Sequence, residues 1–169
     1  MQDLNRNLLC ELAISEAFLT LPPFDSNGDL PNGIHPATLR ELYTRFGEQN
    51  RTREIIFGRL ERIARIARRT GHLARMIVFG SFVTTKPEPN DVDVFLIFDE
   101  TFDSSRCDAE TLLLLDHTAA DAHFGASIFW LRRPAVFGGE QAAIEFWQTR
   151  RDGLLRGIVE IVEKDDDPK

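Results

Sequence analysis

Apolar residues recur at helical spacing in two stretches of this chain and bunch into compact blocks in two others. Leu4, Leu8, Leu12 and Phe18, with Ile14 beside them, mark one face of an amphipathic helix over 3–20. Ile56, Leu60, Ile63 and Ala67 mark a second, longer helix that Asn50 caps and that Gly71 stops after about Thr70. Leu73–Phe79 and 91–98 are blocks dense in Val, Ile and Phe, the pattern of buried strands. Pro22-Pro23, 25–29 and 30–36 read as loops leading into a short helix at about 37–46. Between the two apolar blocks, Lys86-Pro87-Glu88-Pro89-Asn90 excludes regular structure, because both prolines lack a donor. A helix at 106–120, a strand at 125–132, a helix at 139–151 and a strand at 156–162 complete the series. The predicted class is α/β, a mixed central sheet flanked by helices.

With 169 residues, the chain suffices for one domain with a real core. The expected division is a helical extension over 1–21, a domain over 22–163 and an acidic tail over 164–169. No apolar run approaches the ~20 residues of a membrane span. Met1-Gln2-Asp3 lacks the basic start of a signal peptide, and Glu11 and Glu16 interrupt the apolar positions that follow. A cytoplasmic protein with no membrane partner is expected. Cys10 and Cys107 match neither a disulfide framework nor zinc spacing and are read as ordinary helix residues. The net charge of −7 argues against a general nucleic-acid coat, which needs a basic surface. It leaves room for an enzyme that handles one nucleotide or one RNA end.

Candidate chemistry concentrates in Val78-Phe79-Gly80-Ser81-Phe82 and Asp91-Val92-Asp93-Val94. On a strand, residues two apart share a face at about 6.5–7 Å, so Asp91 and Asp93 are expected as neighbours. Two such carboxylates opening an apolar strand repel one another unless something positive lies between them. A hard, oxygen-seeking divalent cation, Mg2+ or Mn2+, meets that need. Gly80 allows close backbone approach and Ser81 adds a hydroxyl, which together suit a phosphate. A phosphate cradle beside a metal site suits phosphoryl or nucleotidyl transfer.

Gly80-Ser81, nine intervening residues, then Asp91-Val92-Asp93 resembles the signature of the DNA polymerase β-like nucleotidyltransferase superfamily. The wider stretch 22–162 looks like a small bacterial minimal nucleotidyltransferase-like family. The phrases that carry this are Leu30-Pro31-x-Gly33-Ile34-His35, Arg45-Phe46-Gly47, the segment from Gly80 to Asp93, and Arg151-Asp152-Gly153-x-x-Arg156-Gly157-Ile158-Val159. The resemblance implies the nucleotidyltransferase fold. It implies Gly80 and Ser81 holding the triphosphate of a nucleoside triphosphate, and Asp91 and Asp93 as catalytic metal ligands. The reaction implied is transfer of a nucleoside monophosphate to a hydroxyl of a protein or tRNA acceptor, in a toxin–antitoxin or phage-defence setting. Such families usually add a third carboxylate from a later strand, and 125–130 contains none. Asp121 and Glu160 are the available substitutes. A catalytically weak fold that neutralises a cognate partner protein by contact is therefore the rival reading, and the 3–20 helix would serve it.

Lys86 is a further candidate phosphate ligand, and Arg132-Arg133 a candidate for triphosphate or acceptor. Arg59, Arg62, Arg65, Arg68 and Arg69 are expected as a solvated helix face rather than an RNA track. The four histidines show no metal spacing, and Trp130 and Trp147 are expected to fill the core.

Overall fold

A computed structural model describes residues 21–133, 139–150 and 152–163. The 3–20 helix, the acidic tail and Arg151 therefore lie outside the described residues. The elements in order are β1 (Gly33–Ala37), α1 (Leu39–Leu42), α2 (Arg51–Arg69), β2 (Leu73–Phe79), β3 (Asp93–Phe98), α3 (Ala109–Leu115), α4 (His117–Phe124), β4 (Ser127–Arg132), α5 (Gly139–Gln148) and β5 (Gly157–Ile161). A single turn of π-helix, Tyr43–Gly47, follows α1, and 3-10 turns occupy Gly80–Val83 and Ser104–Arg106.

The sheet has five strands in the order β1-β5-β2-β3-β4. β1 runs parallel to β5, β5 and β3 flank β2 antiparallel, and β4 runs parallel to β3. One face packs Val78, Val94, Leu96, Ile128 and Val159 against α2, α3 and α4. The other packs Ile77, Phe79, Phe95, Ile97 and Ile158 against Ile144 of α5. Strands covered on both sides need apolar residues at successive positions, which is why the two blocks show no alternation. Among the described residues no helix is long and apolar enough to cross a membrane.

α2 follows its sequence pattern closely. The Asn50 side chain accepts from the Arg53 amide, Ile56, Leu60, Ile63 and Ala67 are buried, and Gly71 leaves the helix with φ +73°. Three expectations need correction. Gly33–Ala37, read as loop for its Gly and Pro, is β1; an edge strand tolerates Pro36 because only one side of it must pair. The helix expected at 37–46 is one turn, opened by a Thr38–Glu41 capping box, before the π turn. The helix expected at 106–120 is two. Asp116 takes an extended conformation between them, and its carboxylate accepts from the Ala119 amide, so a capping side chain outcompetes the helical bond.

The connection from β2 to β3 is pinned from beneath by Arg53, which is fully buried. Its Nη1 donates to the carbonyls of Phe46 (3.2 Å) and Phe82 (2.7 Å), and its Nη2 to those of Thr84 (2.9 Å) and Lys86 (2.5 Å). Burial pushes this guanidinium below the usual arginine range. The same connection is held by Asn50 Nδ2 on the Pro87 carbonyl at 2.9 Å, and by the Thr85 amide on the Gly28 carbonyl at 2.9 Å.

Candidate functional site

The turn after β2 and the start of β3 meet at one end of the sheet. Phe79 pairs with Asp93, and Asp93 pairs with Ser127, so these three share a face and a row. Gly80 has φ +79°, a conformation that L side chains rarely adopt. A Cβ on it would stand 1.8 Å from Asp93 Oδ2 and 2.7 Å from its Cγ. Glycine at 80 therefore lets the Asp93 carboxylate lie directly on the turn. Ser81 is half-buried in that turn, and its carbonyl accepts from Thr84 Oγ1 at 2.8 Å.

Asp91 is placed differently from the sequence expectation. The expected strand starts at Asp91, whereas β3 begins at Asp93, with Asp91 and Val92 ahead of it outside the strand. The reason lies across the ladder: β2 ends at Phe79, and the turn at Gly80 leaves residues 91 and 92 no β2 partner. β4 holds them instead. The Ser127 amide donates to the Val92 carbonyl and the Ser127 hydroxyl to Asp91 Oδ2, both at 3.0 Å. Both acids thus converge on Ser127, Asp93 across the ladder and Asp91 through the hydroxyl. Each is half-buried.

Lys86 goes elsewhere. It is exposed and lines a cavity of about 570 Å³ with Asn50, Arg51, Thr52, Pro87 and Glu88, a set that contains neither acid. Of the possible third carboxylates, Asp121 is exposed on α4, the helix on the opposite face of the sheet from Asp93. Glu160 shares Asp93's face, one row down and two strands across, but its oxygens take Arg75 Nε at 2.6 Å and Nη2 at 2.7 Å. Arg132 pairs with Phe98 at the far end of β3 and donates to the Phe102 carbonyl, and Arg133 is paired with Glu140. Among the described residues no group of three or more His, Cys, Asp or Glu side chains is placed to hold a metal ion. The α2 arginines form a salt-bridged surface: Arg62 meets Glu110, Arg69 meets Asp108 and Glu110, and Arg68 meets Glu163.

None of the groups that complete this end of the molecule carries a functional role in the sequence reading. Arg156, just before β5, is half-buried and its Nε has no hydrogen-bond partner among the described residues. Burial pushes its guanidinium below the usual arginine range, while the charges of Asp29 and Asp93 act to raise it. Asp29, almost fully buried, takes Arg150 Nη1 at 2.5 Å, and Arg150 Nη2 reaches Asp152 at 3.0 Å. Gly157 lets β5 pack under Leu30 and Pro31, since a Cβ there would stand 2.3 Å from the Pro31 carbonyl oxygen. Arg156 was signalled by its place in the Arg151–Val159 phrase of the resemblance and by standing directly ahead of an apolar strand. Asp29 and Arg150 carried no such signal, being brought together from 121 positions apart.

Residues 22–162, which contain every group named at this end of the sheet, match the family model of DUF6932, a family of unknown function. No curated protein and no solved structure matches the chain. The chain belongs to the DUF6932 family.

Proposed function

We propose that this end of the sheet binds a nucleoside triphosphate with Mg2+ or Mn2+ and transfers its nucleoside monophosphate to a hydroxyl of a protein or tRNA, on a nucleotidyltransferase fold. The observation that carries the reading is the Asp93 carboxylate laid against the positive-φ Gly80 turn. Two half-buried carboxylates, Asp91 on the Ser127 hydroxyl and Asp93 at Ser127's ladder position, form an all-oxygen donor set, the kind a hard dication prefers. Asp91 and Asp93 would hold the ion, which when bound supplies Lewis-acid neutralisation of phosphate charge. The Gly80-Ser81 turn brings backbone close to the phosphates. Arg156, a partly desolvated cation whose charge is felt at Asp93, would attract a phosphate through its guanidinium. In the transfer, the acceptor oxygen bonds to the α-phosphorus, the α–β bridge breaks and pyrophosphate departs; solvent takes the hydroxyl proton. Lys86 remains a candidate phosphate ligand only through movement of its exposed side chain.

A second reading rests on Ser127. A hydroxyl rather than a carboxylate stands beside Asp93 on β4, which weakens activation of an acceptor. In that reading the fold binds nucleotide and neutralises a cognate partner, such as a toxin, by contact. Incubation with labelled ATP, CTP, GTP or UTP, with and without Mg2+, separates the two. Label appearing on tRNA or protein, and lost in Asp93→Asn, is the expected result. Partner neutralisation that survives Asp91→Asn with Asp93→Asn, with no label transfer by wild type, would overturn the enzyme reading.

A further inference from the structure

Trp147, expected to fill the core, packs against it from the C-terminal end of α5 and stays half-buried. Its ring lies over Phe79, Phe95 and Phe129, with centroids at 4.7, 5.7 and 4.3 Å. Phe79 is in the same row as Asp93, and Phe95 and Phe129 form the next row on that face. One row is about 6.5–7 Å, the scale of a ribose unit between a base and its first phosphate. Phe146, 67% exposed, stands edge-on to Trp147 at 4.9 Å with planes at 80°, an upright wall beside the indole. Three rings back the indole and one rises beside it; the part of it that stays exposed lies over Phe79, in the row of Asp93.

We infer that Trp147 is a stacking shelf for a nucleobase and that the site selects purine nucleoside triphosphates. This rests on the nucleotide site proposed above. A purine covers more of an indole than a pyrimidine does, and stacking of this kind needs no base-specific hydrogen bonds. The phosphates would then extend toward Gly80 and Arg156 while the base lies over the α5 end.

The test titrates the full chain, in Mg2+, with ATP, CTP and inorganic tripolyphosphate, following tryptophan emission and heat. ATP should bind more tightly than CTP or tripolyphosphate and quench emission. The quench should vanish in Trp147→Phe and survive in Trp130→Phe, since Trp130 sits against Phe98 and Phe102 on the opposite face. Trp147→Leu, shown folded by circular dichroism, should weaken ATP at least about fivefold and leave tripolyphosphate unchanged. Phe146→Ala, at an exposed position, should lower ATP affinity in the same selective way. Equal wild-type affinities for ATP and tripolyphosphate, or a quench that survives Trp147→Phe, would overturn the shelf and leave the phosphate site standing. If none of the three ligands binds, shelf and phosphate site both fall.

Discussion

Gly80 and Gly71 offer a matched pair for measuring how tightly Asp93 is seated. Both have positive φ, +79° and +73°, so alanine at either position enters the left-handed region at a cost of roughly 1–2 kcal/mol. Stiffening of the unfolded chain returns about 0.4–1 kcal/mol, equally in both, and cancels in the comparison. The surroundings differ. A Cβ at Gly71 meets nothing within 4 Å, whereas at Gly80 it overlaps Asp93 Oδ2 at 1.8 Å and crowds Asp93 Cβ at 3.1 Å. Rotating the carboxylate relieves the first contact but not the second, so overpacking adds about 1–3 kcal/mol at Gly80 alone. At about 2–4 °C per kcal/mol for a chain of this size, Gly80→Ala should melt roughly 2–12 °C below Gly71→Ala by calorimetry. Asp93→Ala removes the overlapping oxygen. The Gly80→Ala/Asp93→Ala cycle should therefore show a favourable coupling of about 1–2 kcal/mol. Equal melting of the two alanine variants, or an additive cycle, would refute the seating of Asp93 on the turn.

Other consequences are independent of the proposed reaction. Arg53→Met strips the donor from four backbone carbonyls and should cost about 3–5 kcal/mol, a melting drop of at least about 6 °C; a drop under about 2 °C would show that the clamp is not structural. Glu140 is held below its ordinary value of 4.5 first by its hydrogen bond to Arg133 and then by Arg75. Its stabilisation is therefore complete above about pH 4.5 and lost as pH falls through the depressed value, so Glu140→Gln should flatten the acid limb of stability in urea melts run from neutral to acidic pH. Asp116→Ala removes the cap between α3 and α4 and should cost about 1 kcal/mol by urea denaturation, with no cost if the two helices simply merge.

Much of this molecule was written locally. The apolar stripe and cap of α2, the blocks of β2 and β3, and the glycine at 80 each depend on residues a few positions apart, where spacing alone dictates backbone and burial. The same reasoning went wrong wherever a distant partner chose. β1 exists because β5, more than a hundred residues later, supplies its ladder, which outweighs the loop character of Gly33 and Pro36. Arg53 sits on the charged side of no sequence pattern, yet it is buried because four carbonyls from two other segments converge on it.

At the candidate site the division is sharpest. The sequence alone determined that a tight turn and two acids close in the chain would stand at the head of apolar strands, since glycine's freedom and strand composition are properties of the residues themselves. Tertiary structure decided that Asp93 enters the sheet while Asp91 stops short of it and hangs from Ser127, that Arg156 stands just ahead of β5, and that Trp147 packs on Phe79. Those placements follow from which strands pair and where each ladder ends, and pairing between distant segments leaves no periodic trace in either one.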